Sequence, residues 1–282
     1  GKQRWKCFSN DCGGGDVLDF VMAYHRVDHQ RAVDMLGGQH ITPAEALKAQ
    51  ADRLAREAEE DRRRAEERMA AIAELQRQAS WLAYQEKLRE TETAREAWRS
   101  RGIPDDWQEY YRLGYCPAFA AVTEAGKITT PTLTIPVWGP GWELQNIRHR
   151  LLMPFKPTDK YRPERAGLPA APYMCDPDIG WDAERILVVE GEIKAMVVYL
   201  TADTPGLQVI GIPGKLAFRN TVDKIKGKDV VISLDPGAEE DAREFARQVS
   251  GRMFTTPLKI DDAINEGMMG KQAVLSLLIT AR

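Results

Sequence analysis

The spacing of apolar residues divides the chain into stretches of different period. After Asp16, the positions Val17, Phe20, Val21 and Tyr24 recur at helical intervals, and Gly37 with Gly38 closes the stretch. A further helix is predicted to open at Thr42, Pro43 and Glu45, which supply an N-cap, a proline at the first helical position and a capping-box acid. Beyond Pro43 there is no Pro or Gly to about Arg89, and Leu47, Leu54, Ala65, Met69 and Ile72 form only a narrow apolar stripe. That pattern predicts a long solvent-exposed helix or helical hairpin acting as a spacer.

Thr93 and Glu96 predict a second capping box, followed by two short helices broken at Gly102 and Pro104. Residues 133–151 alternate and carry turn glycines at Gly139 and Gly141, the pattern of a β-hairpin. A loop-rich stretch runs through Pro172. From Arg185 onward, the runs ILVVE, LQVIGI and DVVISLD are separated by helical segments, which predicts a parallel sheet with crossover helices.

A length of 282 residues suits about two domains at roughly 100–200 residues each. With 43% hydrophobic and 29% charged residues, a wholly disordered or collagen-like chain is excluded. No run reaches the roughly 18 apolar residues of a spanning helix, and GKQRWKCFSNDC has no apolar signal core. The expectation is a cytoplasmic protein with no membrane partner. A net charge of -3 requires any nucleic-acid contact to come from a local basic surface. Arg62, Arg63 and Arg64 are not that surface on this reading, because Glu59, Glu60, Asp61, Glu66 and Glu67 surround them and predict a salt-bridged helix face. Gly214 and Lys215 are followed by Leu216, so no GxxxxGK[ST] phosphate loop is present.

Two groups of residues point to metal. Cys7 and Cys12 have the spacing of a zinc knuckle but supply only half a site. His25 and His29 would complete a Cys-x4-Cys-x12-His-x3-His finger, yet Asp16 stands where its core aromatic belongs, and Asp28 reads as the cap of a fresh helix that parts the two histidines. Cys116 and Cys175 are isolated and read as ordinary small residues. In the predicted parallel sheet, Glu190 and Asp235 fall at strand ends, where an α/β fold opens its ligand crevice. Two such carboxylates suit Mg²⁺, which takes one or two acids together with waters and phosphate oxygens.

The ordered set of Glu190-Gly191, Gly211 and Asp235 resembles the TOPRIM domain of DnaG-like primases, type IA and type II topoisomerases and some nucleases. The segment WKCFSNDCGGGDVLDFVMAYHRVDHQRAVDML resembles the second half of the zinc ribbon of bacterial and phage DNA primases. REAWRSRGIPDDWQEYYRLGYCP, LTIPVWGPGWELQNIRHRLL and DKYRPE resemble the primase Arg-Gly-Ile segment, hairpin and Lys-Tyr loop, in the family's order. The resemblance covers residues 5–36 and about 93–265. It implies a multidomain α/β and α+β chain. Residues 1–37 would be a zinc ribbon truncated at its start, 38–90 a helical spacer, 91–184 the first subdomain of a primase core, and 185–282 the TOPRIM domain with C-terminal helices.

The resemblance further implies synthesis of short RNA primers on single-stranded DNA from NTPs, with Mg²⁺ or Mn²⁺ as cofactor, Zn²⁺ in a complete ribbon, and a replicative helicase as partner. Glu190 and Asp235 would be catalytic, with Asp261 and Asp262 as further metal ligands. Arg148, Arg150, Lys160, Arg162 and Lys194 would bind template and nucleotide. One departure stands out: Gly237 occupies the place of the second acid of the family's Asp-x-Asp, and Asp241, Asp261 or Asp262 would have to supply the missing charge. A TOPRIM nuclease and a noncatalytic DNA-binding replisome adaptor are the alternative functions.

Overall fold

The structure, a computed structural model, describes residues 5–6, 14–37, 43–123, 126–154, 160–165, 167–168 and 170–281. Cys7, Cys12 and the Thr42 cap lie outside the described residues. The chain divides into two units, Gly1–Ala65 and Glu66–Arg282.

In the first unit, β1 (Trp5–Lys6) pairs antiparallel with β2 (Gly14–Gly15), followed by α1 (Val17–His25) and α2 (His29–Met35). Asp16 caps α1 and Asp19 returns the bond to the Asp16 backbone, a capping box made from two aspartates. Arg26 (φ 51°) ends α1 in the left-handed region, and the Asp28 side chain accepts from the Arg31 N–H to start α2. His25 and His29 therefore sit on separate helices, as the capping signal at Asp28 predicted. α3 (Pro43–Gln78) runs on into the second unit. Along it, Arg62 pairs with Glu59 at 2.6 Å and Arg64 with Glu60 at 3.2 Å, so the basic run is a salt-bridged face.

The expected exposed spacer ends earlier than residue 90. Leu75 is fully buried, and α3 breaks at Ala79 (φ 47°) into α4 (Ser80–Glu90), which buries Gln85 and Leu88. The Thr93 capping box does not form. α5 (Glu92–Arg99) starts from Thr91, and the Glu96 carboxylate that would have closed the box binds Arg99 at 2.7 Å. α6 (Asp105–Tyr110) follows the Gly102–Pro104 break, and its Asp105 also holds Arg99, at 2.8 Å.

Next comes an antiparallel sheet in the order β3-β4-β5-β6: β3 (Gly114–Thr123), β4 (Gly126–Trp138), β5 (Leu144–Leu151) and β6 (Tyr161–Pro163). β4 and β5 are the predicted hairpin, joined by a tight turn in which Gly141 has φ 65°. At this end, the Arg112 guanidinium lies 5.0, 4.9 and 5.0 Å from the rings of Trp81, Trp138 and Trp142.

The remainder forms a mixed sheet in the order β11-β10-β8-β9-β7. β8 (Arg185–Glu190), β9 (Leu207–Ile212), β10 (Asp229–Ser233) and β11 (Arg252–Met253) run parallel, and β7 (Tyr173–Met174) pairs antiparallel with β9. Between the strands run α7 (Glu192–Ala202), α8 (Lys215–Arg219), α9 (Val222–Ile225) and α10 (Glu239–Val249); α11 (Ile260–Asn265) and α12 (Lys271–Thr280) close the chain. Both faces of β8 are covered, which explains its unbroken apolar run. Leu187 and Val189 pack with α7 and with Trp98, Tyr111 and Leu133 in one core, whereas Ile186 and Val188 pack with Phe218, Ile232 and Phe245 in another. No helix among the described residues is long and apolar enough to cross a membrane.

Candidate functional site

β8 feeds β9 on one side, and the chain then crosses back to place β10 on the other side of β8. Connections leave in opposite directions at the carboxyl ends of β8 and β10, and a crevice opens there for steric reasons. Glu190 is the last residue of β8, and Asp235 lies just beyond the end of β10. The turn into α7 is shaped by two glycines. Gly191 has φ 83°, which a residue with a Cβ adopts only with strain, and a Cβ on Gly211 would come within 2.5 Å of the Gly191 carbonyl. The pair lets the first turn of α7 sit against β9 and aim at the crevice.

The crevice is a cavity of about 570 Å³. One wall carries Glu190, Glu192, Lys194, Asp235, Lys259, Asp261 and Asp262; the other carries Arg101, Arg148, Arg150, Lys160 and Tyr161. Thus the structure brings together Glu190, Asp235, Asp261, Asp262, Arg148, Arg150, Lys160 and Lys194 from the sequence reading. Arg162 is not with them. It stands opposite His149 in the β5–β6 register, and neighbours across a strand pair share a face, so Arg162 belongs to the His149 side of the sheet while Arg148 and Arg150 face the crevice. Asp241, in the first turn of α10, is also absent from the crevice lining. A second depression, of about 620 Å³ beside α10 and β11, carries Arg243 and Arg247 but no acid, so the convergent chemistry lies in the crevice.

Four lining residues escaped the sequence reading. Tyr161 lies between two guanidinium groups, 4.7 Å from Arg148 and 5.2 Å from Arg150, and the Arg150 Nη1 donates to its hydroxyl at 2.6 Å. Glu192 is almost fully buried and forms an ion pair with Arg148. Lys259 sits 3.5 Å from the Asp235 carboxylate. Arg101 is half-buried, with an Nε that has no hydrogen-bond partner, and burial beside Arg150 holds its pKa below the ordinary arginine value. The signals lay inside quoted motifs: Arg101 in RSRGIP, Tyr161 in DKYRPE, Lys259 immediately before IDD, and Glu192 in EGEIK.

On the acidic wall, the buried Lys194 ammonium is ion-paired with Asp235. Burial pulls the Lys194 pKa below the usual lysine value, against the opposing pull of Asp261, Glu190 and Asp262. The donor set suits a hard divalent ion, since carboxylates from three segments line one cavity. The Asp261 Oδ1 is buried with no hydrogen-bond partner, the kind of oxygen a cation would satisfy. Among the described residues, however, no three metal-ligating side chains are gathered about one point.

No family model matches this chain, and no curated protein matches it. Solved structures do. The fold is similar to the zinc-binding and RNA polymerase domains of Aquifex aeolicus primase, with a TM-score of 0.56 at 16% identity over 99% of this chain and 73% of that one. It is similar to the DnaG primase catalytic domain bound to single-stranded DNA, with a TM-score of 0.58 at 16% identity over 76% and 82% of the two chains. For the RNA polymerase domain of Mycobacterium tuberculosis DnaG the values are 0.56, 14%, 77% and 84%. Each of these is a DnaG-type primase domain, and the mixed α/β architecture described above is their fold.

Proposed function

We propose that this chain is the catalytic part of a bacterial or phage DnaG-like DNA primase, which synthesises short RNA primers on single-stranded DNA by metal-dependent nucleotidyl transfer. The observation that carries the reading is the crevice itself: strand-end acids Glu190 and Asp235 at the switch point face a wall of arginines and lysines, within a fold shared with DnaG structures. Residues 185–282 would be its TOPRIM domain, and residues 1–37, with Cys7 and Cys12, would belong to a zinc ribbon. A cytoplasmic location, NTP substrates and a replicative helicase partner belong to the same reading. One of the similar structures is of a DnaG domain bound to single-stranded DNA, another of a DnaG domain with a double-stranded oligomer bearing an overhang, and both support a DNA template here.

Bound Mg²⁺ or Mn²⁺ would neutralise the phosphate oxygens on which negative charge builds during transfer. Glu190, Asp235, Asp261 and Asp262 would hold it. Arg150 and Lys160 orient phosphates from the opposite wall. Arg148, fixed by Glu192 and by the Tyr161 ring, presents a guanidinium whose direction is set before any ligand arrives. Such preorganisation favours one placement of the reacting phosphate over many.

The test is primer synthesis from labelled NTPs on random single-stranded templates with Mg²⁺ or Mn²⁺. Glu190→Gln should reduce product at least about 100-fold, because it deletes charge where the transferring phosphoryl group needs its cation. Metal-dependent cleavage of labelled strands without nucleotides would identify a TOPRIM nuclease instead. The noncatalytic adaptor is favoured by one specific feature, the Asp235 carboxylate already held by Lys194 and Lys259, and would show DNA affinity without chemistry.

A further inference from the structure

Lys194 stands in the first turn of α7 with 6% of its surface exposed, on the acidic wall of the crevice. Its ammonium is bound to Oδ1 of Asp235, and Lys259 Nζ approaches Oδ2 of the same carboxylate at 3.5 Å. Both oxygens of Asp235 are therefore engaged by cations of the chain itself. A buried lysine is costly unless paired, and this pairing joins the start of α7 to the loop after β10, straddling the switch point. The neighbouring acids Glu190, Asp261 and Asp262 act on the same ammonium. An ion that took Asp235 as a ligand would have to displace this ammonium or sit beside it, two positive charges within ion-pair distance.

We propose that Lys194 is the resident cation of Asp235: in the nucleotide-free protein its ammonium fills the place on that carboxylate that a divalent ion would take. This rests on the reading of the crevice as a divalent-metal site. It assigns to a lysine in the first turn of α7 a role in metal uptake that its sequence position does not announce.

The experiment is Mn²⁺ binding to the full chain without nucleotide, followed by the electron paramagnetic resonance signal of free Mn²⁺. Lys194→Met keeps the aliphatic stem and removes the charge; it should bind Mn²⁺ at least about tenfold more tightly than the wild type. Lys194→Arg keeps the charge and should bind like the wild type. Asp235→Asn should change the wild-type affinity by less than about twofold, since the carboxylate is not available to the ion, but should abolish the gain when combined with Lys194→Met. Lys194→Met binding no tighter than the wild type would overturn the proposal. So would a tenfold or greater loss, on the order expected for a true ligand, from Asp235→Asn alone, and this second result decides the matter if Lys194→Met does not fold. None of these measurements uses a template or a nucleotide. A chain silent in primer synthesis that still shows the Lys194→Met gain would therefore defeat the primase reading and leave this proposal standing.

Discussion

His149 and Glu164 are bound to each other on the face of the antiparallel sheet that lies away from the crevice. His149 is fully buried, stacked on Phe119 with ring centroids 3.7 Å apart, and its Nδ1 lies 2.8 Å from the Thr132 hydroxyl. Glu164, one residue past β6, also accepts from the Tyr84 hydroxyl at 3.1 Å. Tyr84 belongs to α4, so the helix behind the sheet, β5 and β6 are tied at one point. Because side chains alternate along a strand, fixing His149 inward turns Arg148 and Arg150 toward the crevice. Fixing Glu164 holds β6 so that Tyr161 stands between those two guanidinium groups.

Glu164 should make the protein sensitive to acid. Burial pushes its carboxyl up, but the bonds from His149 and Tyr84 outweigh burial and leave its pKa below the ordinary value of 4.5. A depressed carboxylate pKa gives stability that is fully present above the ordinary value and is lost as pH falls through the lower folded one. Glu164→Gln should therefore cost about 1–3 kcal/mol at neutral pH and flatten the acid limb of the stability curve, measured by urea unfolding across the acid range. An equal loss at every pH would contradict the assignment.

Arg112 among Trp81, Trp138 and Trp142 fixes the end of the hairpin to α4. A partly desolvated cation over indole rings contributes roughly 2 kcal/mol, so Arg112→Ala should lower stability by about that much. Arg112→Lys should recover only part, since an ammonium cannot stack as a plane. Thermal unfolding of Arg112→Ala at the wild-type midpoint would show that the stack contributes nothing.

Truncation should respect the burial of Leu75 and Leu88 and not the charge pattern. A fragment of residues 66–282 keeps both, together with the Gln76 side chain that donates to the Leu144 carbonyl at 3.1 Å, and should fold cooperatively. A fragment starting at Thr91 loses α4 with the buried Leu88 and leaves the His149–Glu164 side of the antiparallel sheet uncovered, so it should aggregate or melt without a cooperative transition. Cooperative unfolding of the shorter fragment, by circular dichroism, would make α4 dispensable.

Lys160 and Arg162 are two residues apart in sequence and should behave differently. Lys160 reaches the crevice, and Lys160→Ala should reduce the slope of log affinity against log salt for single-stranded DNA by about one. Arg162 shares a face with His149, and Arg162→Ala should leave the slope as it is. Equal changes for both would mean that the DNA does not follow the crevice.

Much of this arrangement was legible before the structure, and what was not has physical reasons. The runs ILVVE and LQVIGI fall in β8 and β9, and the first five residues of DVVISLD are β10, because strands buried on both faces read as unbroken apolar runs. Glu190 ends β8 as expected, whereas β10 stops at Ser233 and Asp235 lies two residues beyond it. The break at Ala79 left no trace, since alanine favours helix and only packing of Leu75 and Trp81 around the hairpin turns the chain there. His149 could have been read from the alternation in NIRHRL, in which Arg148 and Arg150 share a face and His149 takes the other. The Lys194–Asp235 pair joins positions 41 residues apart, and no local pattern encodes which lysine meets which acid.

Gly237 stands where the sequence resemblance to the TOPRIM family implies the second acid of an Asp-x-Asp, and its backbone argues against simply placing an acid there. Its φ of 93° lies where a side chain is strained whatever the space around it, and a Cβ there would meet nothing within 4 Å. Its N–H donates to Glu239 at 2.8 Å, so the turn into α10 is already closed by an acid of its own. Gly237→Asp should therefore lower stability by about 1–3 kcal/mol. Gly237→Ala should cost a similar amount, because the penalty comes from the backbone and not from the charge. Nor should Gly237→Asp tighten Mn²⁺ binding, since Gly237 does not line the crevice and Lys194 still holds Asp235. Melting temperatures and Mn²⁺ titrations of both variants check this. A Gly237→Asp protein as stable as the wild type and binding Mn²⁺ more tightly would mean that the turn reorganises to deliver a second carboxylate.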